Sequence, residues 1–142
     1  MADVLNHNLI DLMAKYATGN APPTPSITLK LFVNDITPDC SAEDGVFTEC
    51  TAPGYAAVAL TAGNWGGSTI SCVANYTYPG IAFIFTGPGV PGQTIYGYYY
   101  VDLVLDLLLW HGFLDTPYVI PAGTSALVIV PSWSDKICST GG

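Results

Sequence analysis

The stretch from Ile95 to Trp110, IYGYYYVDLVLDLLLW, constrains this chain more than any other. β-Branched and aromatic residues dominate its first half, and such side chains suit a pleated surface better than a helix. On a strand, Tyr96, Tyr98 and Tyr100 point one way, and Ile95, Gly97, Tyr99 and Val101 point the other. Both faces are apolar or aromatic, so both need cover, which makes this stretch the central hairpin of a β-sandwich. Asp102 and Asp106 form the shoulders of its turn. Hairpin turns are ordinarily polar, but this one reads Leu103-Val104-Leu105. An apolar tip is tucked under its own domain or buried in a partner, and a partner is the expectation.

Strand patterning recurs on either side. Ile27 to Asn34 alternates, with Ile27, Leu29, Leu31 and Val33 opposite Thr28, Lys30 and Phe32, as in a half-buried strand. Tyr55 to Thr61 is a small-residue strand with Val58 and Leu60 on its better apolar side. Thr69 to Tyr78 alternates most regularly, and Ile81 to Thr86 carries Phe83 and Phe85 on one face. Asp115 to Pro117 reads as a turn into Tyr118, Val119 and Ile120, and Ser125 to Val130 is the last strand. About eight short strands with Gly and Pro between them predict an all-β fold, a single-domain β-sandwich or jelly roll over residues 27–131.

Residues 1–26 form a separate segment. Asp3 can cap a helix starting at Val4, with Leu5, Leu9, Leu12 and Tyr16 at helical spacing and Ile10 and Met13 widening the stripe. Gly19 is a natural stop, and Pro22, Pro23 and Pro25 make the next few residues stiff and extended. The helix either packs on its own domain or acts as an arm on a neighbouring subunit. Residues 132–142 read as a tail, polar apart from Trp133 and Ile137. Candidate contact residues are Leu5, Leu9 and Leu12 of the helix, Leu103, Val104 and Leu105 of the tip, and Trp133.

Charge narrows the partners. The 142 residues are 50% hydrophobic and only 10% charged, and three lysines against eleven acids give a net charge of -8. That balance disfavours nucleic acid, whose binding rests on Lys and Arg neutralising phosphates, and also disfavours anionic membranes. No run reaches the roughly 18 apolar residues of a membrane span. Asp3, Asn6, His7, Asn8 and Asp11 interrupt any signal-peptide core, so synthesis in a cytoplasm is expected. Cys40, Cys50, Cys72 and Cys138 allow three pairings; Cys40 and Cys50 flank one polar loop and can pair under oxidising conditions, while Cys72 reads as a buried thiol.

No reaction is indicated. Asp39, Glu43, Asp44 and Glu49 crowd the Asp35–Pro53 loop, yet DCSAEDG lacks the ligand order of an EF-hand, so a solvated acidic loop is favoured over calcium. His111 has Asp106 and Asp115 in range of a triad reading, but no nucleophile elbow accompanies them, and a structural or surface role is expected. Asp102 and Asp106 make better sense as turn shoulders than as paired glycosidase acids. The expectation is a non-enzyme with no cofactor and no metal.

Taken together, ITLKLFVNDITP (Ile27 to Pro38), FTECTAPGYAAVALTAGNW (Phe47 to Trp65), YPGIAFIFTG (Tyr78 to Gly87), TIYGYYYVD (Thr94 to Asp102), LLLWHGF (Leu107 to Phe113) and PYVIPAG (Pro117 to Gly123) resemble a family of small tailed-bacteriophage virion proteins. The resemblance covers most of the chain in order, and its motifs are structural rather than catalytic. It implies a β-sandwich on the capsid exterior, in a decoration (cement) or fibre-like role. The major capsid protein and copies of the chain itself would be its partners, a trimer being suggested by analogy. A fibre or adhesin module would instead use Tyr96, Tyr98, Tyr100, Trp65 and Trp110 to stack on a host glycan.

Overall fold

A computed structural model of the chain describes residues 4–20, 26–71 and 73–136. They form an all-β, sandwich-like domain with one short helix. In chain order the elements are β1 (Val4–Leu5), α1 (His7–Ala17), β2 (Ile27–Phe32), β3 (Val58–Ala59), β4 (Gly66–Ile70), β5 (Val73–Thr77), β6 (Ile81–Phe85), β7 (Thr94–Asp102), β8 (Leu107–Val119), β9 (Ser125–Ile129) and β10 (Ser132–Lys136). All their pairings are antiparallel, in sheets ordered β1-β8-β7-β2-β3, β10-β5-β4 and β6-β9.

The β7–β8 hairpin sits at the centre, as its two apolar faces require. One face feeds the main core, with Ile95, Tyr100, Leu109 and Trp110 joined by Leu29, Leu31, Phe83 and Phe85. The other feeds a second cluster of Phe32, Phe47, Tyr99, Val101 and Leu108. Strict alternation fails at one end. Ile95 belongs to the main core and Tyr96 packs on the second cluster, the reverse of the simple assignment. The cause is a bulge: between the pairs Gly97↔Phe113 and Ile95↔Tyr118, a single β7 residue stands opposite residues 114–117 of β8. The Asp115–Pro117 signal therefore makes a bulge inside one long strand rather than a turn. Pro117, lacking an N–H, is tolerated at such a break in the ladder.

Glycine is obligatory at position 97. A Cβ there would run into the Gly112 carbonyl oxygen of the paired strand and lie 2.7 Å from two ring carbons of Phe32, closer than packed carbons approach. Phe32 thus covers the β7 backbone, and β2 is buried on both faces, with Thr28 and Phe32 enclosed as well as Leu29 and Leu31.

Three further elements depart from the sequence reading. The regular pattern from Thr69 to Tyr78 is two strands, because Ser71 takes a left-handed φ of 50° and Ile70 pairs back on Val73. Alternation alone cannot separate one strand from two joined by a tight turn. The Tyr55–Thr61 strand shrinks to Val58–Ala59. Residues 132–136, expected in the tail, form β10 along β5, with Trp133 opposite Tyr76.

The N-terminal segment lies on the body. Val4 and Leu5 pair with His111 and Trp110, which delays the helix to His7 and passes the cap to Asn6. Asn6 is fully buried; its Oδ1 accepts from Asn8 N at 3.0 Å and its Nδ2 donates to the Ala42 carbonyl at 2.7 Å. Asn8 Nδ2 donates to the Leu108 carbonyl at 3.1 Å, fixing α1 to β8. The cap assigned to Asp3, the Pro22–Pro25 segment, Cys72, Cys138 and the tail beyond Lys136 lie outside the described residues.

Candidate functional site

An apolar groove of about 270 Å³ lies where α1, the β7–β8 sheet and the β10-β5-β4 sheet meet. Trp110 comes from β8 and stacks on Tyr100 at 4.1 Å between ring centroids. Trp65 follows a short turn of helix at 62–64; its ring is edge-on to Tyr78 at 5.3 Å and 6.3 Å from Trp110. Trp133 stands on β10, 6.3 Å from Tyr76 on β5. Leu9 and Met13, one turn apart on α1, and Ile27 at the start of β2 complete the lining. All three tryptophans of the chain therefore meet in one groove. The indole N–H groups of Trp110 and Trp133 are shielded and make no hydrogen bond among the described residues. The groove thus offers carbon and no polar handle.

Its surroundings extend the apolar surface. On α1, Ile10 is 57% exposed, Met13 40% and Tyr16 50%. Beyond Ile27 lies the hairpin tip, where Leu103 and Val104 are 55% and 58% exposed. Asp102 shapes that tip from inside: fully buried, its Oδ1 accepts from the backbone N–H of Val104 at 2.9 Å, Leu105 at 3.4 Å and Ser26 at 3.3 Å. Asp106 closes the turn with a left-handed φ of 53°, a conformation Asp tolerates better than most residues. The Leu103 N–H donates to the Ser26 carbonyl at 3.0 Å, which places the tip one residue from the groove wall at Ile27.

The expected contact residues separate accordingly. Leu9 and Trp133 come together in the groove. Leu103 and Val104 are presented at the tip, while Leu105 turns inward and packs on the main core. Leu12 is core at 6% exposure, because α1 lies against β8 instead of standing off as an arm. Leu5 holds a place in β1, and its side chain lies outside the described residues. Met13, Ile27 and Tyr76 join the lining without having been expected there. The available signal was the Leu9–Met13 spacing, which puts both on one helix face; nothing in the sequence draws positions 65, 110 and 133 together. Of the aromatic residues considered for glycan stacking, Tyr100 and Trp110 are core, and Trp65 is half-buried in the groove wall.

Elsewhere, polar groups serve the body. His111 is fully buried, with its ring 5.4 Å from Phe47 and 5.5 Å from Phe113. Neither ring nitrogen makes a hydrogen bond of ordinary geometry among the described residues, so neither Asp106 nor Asp115 orients it. Burial pushes its pKa down, opposed more weakly by the Pro38 carbonyl. Glu49 holds Lys30 at 3.1 Å and accepts the Tyr55 hydroxyl at 3.1 Å; burial pushes that phenol well above its ordinary range. Asp39 accepts from Ser41 N at 2.8 Å and Ser41 Oγ at 2.6 Å, which lowers its pKa. Among the described residues no cluster of His, Cys, Asp and Glu is placed to hold a metal. Cys40 is exposed and Cys50 buried, both as free thiols, and burial raises the Cys50 pKa.

Comparison with protein-family models, with curated proteins and with solved structures gives no match. The groove and tip rest on their own geometry.

Proposed function

We propose that this chain is a structural protein of a tailed-phage virion: a decoration (cement) protein made in the host cytoplasm that binds the outer capsid surface and stabilises the head. Its partners are the major capsid protein and copies of itself. The observation that carries this reading is the hairpin tip, where Leu103 and Val104 are held in the open by a buried aspartate at the end of the domain's central hairpin. Exposed apolar residues on a rigid support are what a docking contact needs, since little ordering is lost on binding. A net charge of -8 suits the outer face of a capsid better than a DNA-facing one.

Purified particles test the reading. The protein should be retained in copies comparable to the major shell protein, and stripping it should lower resistance to heat or osmotic shock. The double variant Leu103→Asp, Val104→Asp should keep its unfolding free energy within about 0.5 kcal/mol, as surface changes do, yet fail to remain on particles. Only a few copies per particle would remove the cement role and favour the second reading, a tail-fibre or adhesin module for a host glycan. That reading draws on Trp65 and Tyr76 beside the groove. A glycan array decides whether they bind sugar.

A further inference from the structure

We infer that a cleft at the margin of the second aromatic cluster binds the guanidinium group of an arginine, carried by a basic segment of a partner protein. The inference is independent of the virion reading and involves neither the hairpin tip nor the tryptophan groove.

The cleft, of about 400 Å³, lies where the chain leaving β2 passes the bulge of β8. Bulges re-aim side chains, and this one moves Tyr96. With alternation unbroken from Tyr100 its ring would face the main core; past the shift it packs on the second cluster and lines the cleft instead. Phe113, Leu114 and Pro117 of β8 line it too, and the chain after β2 supplies Asp35 and Thr37. Tyr96 and Phe113 are only half-buried, so both rings remain within reach of a ligand.

Asp35 is fixed in place but unpaired. Before it, Asn34 Nδ2 donates to the Val46 carbonyl at 2.8 Å, and Asn34 Oδ1 accepts from Thr48 N at 2.8 Å. After it, Ile36 packs on the second cluster. The carboxylate between them is exposed and makes no hydrogen bond or ion pair among the described residues. Lys15 and Lys30 are engaged with Asp11 and Glu49, and no lysine lines the cleft.

Charge selects the ligand. Asp35 is the one charged residue of the lining among the described residues. The molecule carries -8, so its field repels anions and draws cations. An apolar group seated here would bury the carboxylate without a partner, which is costly. A neutral sugar can stack on Tyr96 but gains nothing from the field. A cation is stabilised twice, by the carboxylate and by the electron-rich faces of the two rings. Guanidinium suits both contacts best: it pairs with a carboxylate through two N–H bonds, lies flat on a ring and is more weakly hydrated than an ammonium. A second hollow of about 370 Å³ shares Ile36 and Thr37 with the cleft and adds Asp39. The ligand's chain can therefore continue past the first arginine over acidic ground, which favours a segment of protein over a free amino acid.

The test titrates the full-length chain at low salt with a short end-blocked peptide carrying two arginines. Its twin carries citrulline, the uncharged isostere, in their place. The arginine peptide should shift the amide signals of Asp35, Thr37, Tyr96, Phe113 and Leu114 with a Kd of about 1 mM or tighter, and added salt should weaken it. Asp35→Asn should weaken binding about tenfold, through loss of the charge-assisted pair, and Tyr96→Leu about threefold, with circular dichroism unchanged. Asp106→Asn removes the same charge at the hairpin turn and should leave the affinity within about twofold, because a distant exposed charge is screened. Equal binding of the citrulline peptide, no binding at millimolar concentration, or equal losses from Asp35→Asn and Asp106→Asn overturns the proposal. Shifts spread over the whole acidic surface do the same. So does methyl glucoside moving these amides where the arginine peptide does not, which would make the cleft a sugar site. No particle enters the measurement, so the cleft and the capsid reading fail separately.

Discussion

The two aromatic regions flanking the central hairpin are built from similar residues and end differently. On one side, Phe32, Phe47, Tyr99 and Phe113 gather around His111, with Phe47 stacked on Tyr99 at 4.5 Å. The segment 36–47 covers them, fastened by the Asn6 side chain on the Ala42 carbonyl and by the His7 N–H on the Cys40 carbonyl. On the other side, Trp65, Trp110 and Trp133 also approach one another, but the described chain supplies no cover of that kind and a groove stays open. Aromatic content does not separate a sealed core from an open groove. The difference is whether a nearby segment has backbone groups to anchor itself across the rings.

The sharpest way to break this comparison is to truncate one ring on each side. Phe47→Ala should cost about 3–5 kcal/mol, the usual range for a buried phenylalanine, while Trp133→Ala in the isolated protein should cost less than half as much, because its ring is already partly open to solvent. Equal losses in denaturant titrations would mean that the groove is as much a core as the sealed cluster. Next in size is Gly97→Ala. The added methyl collides with the Gly112 carbonyl of the paired strand as well as with Phe32, so the loss in the same titration should reach or exceed the upper end of the usual overpacking range of about 1–3 kcal/mol.

The smallest expected effect is a pH dependence confined to the sealed side. The folded-state pKa of His111 lies below its ordinary 6.5, so the unfolded chain takes up a proton at higher pH than the folded one. Stability is therefore intact above that value and is lost as the pH falls through it. Replacing His111 with Leu should flatten this dependence between roughly pH 7 and 5. An unchanged slope would show that the buried imidazole does not control it.

The residues that form the hairpin are legible in the sequence because their chemistry is local. Two apolar faces require cover on both sides, and Asp102 and Asp106 mark the turn whatever packs around them. The apolar tip is legible for the same reason. The bulge at residues 114–117 is not, since it depends on β7 and β8 staying paired past a proline. The groove is hidden further still. Trp65, Trp110 and Trp133 lie on different sheets or loops, and only the docking of α1 and the pairing of β10 with β5 bring them together. Leu12 reads as a contact residue and is core, because a helical stripe looks alike whether its partner is the same chain or another.

Lys30 sits in β2 between two strands, with its ammonium on Glu49. Lys15 lies in α1, Lys136 ends β10, and the sequence contains no other lysine and no arginine. Trypsin, which cuts after Lys or Arg and needs several residues of extended, unpaired chain, is thus offered one site locked in a ladder, one in a helix and one at a strand end. Scarcity of basic residues thus makes the folded domain a poor substrate for any protease of that specificity.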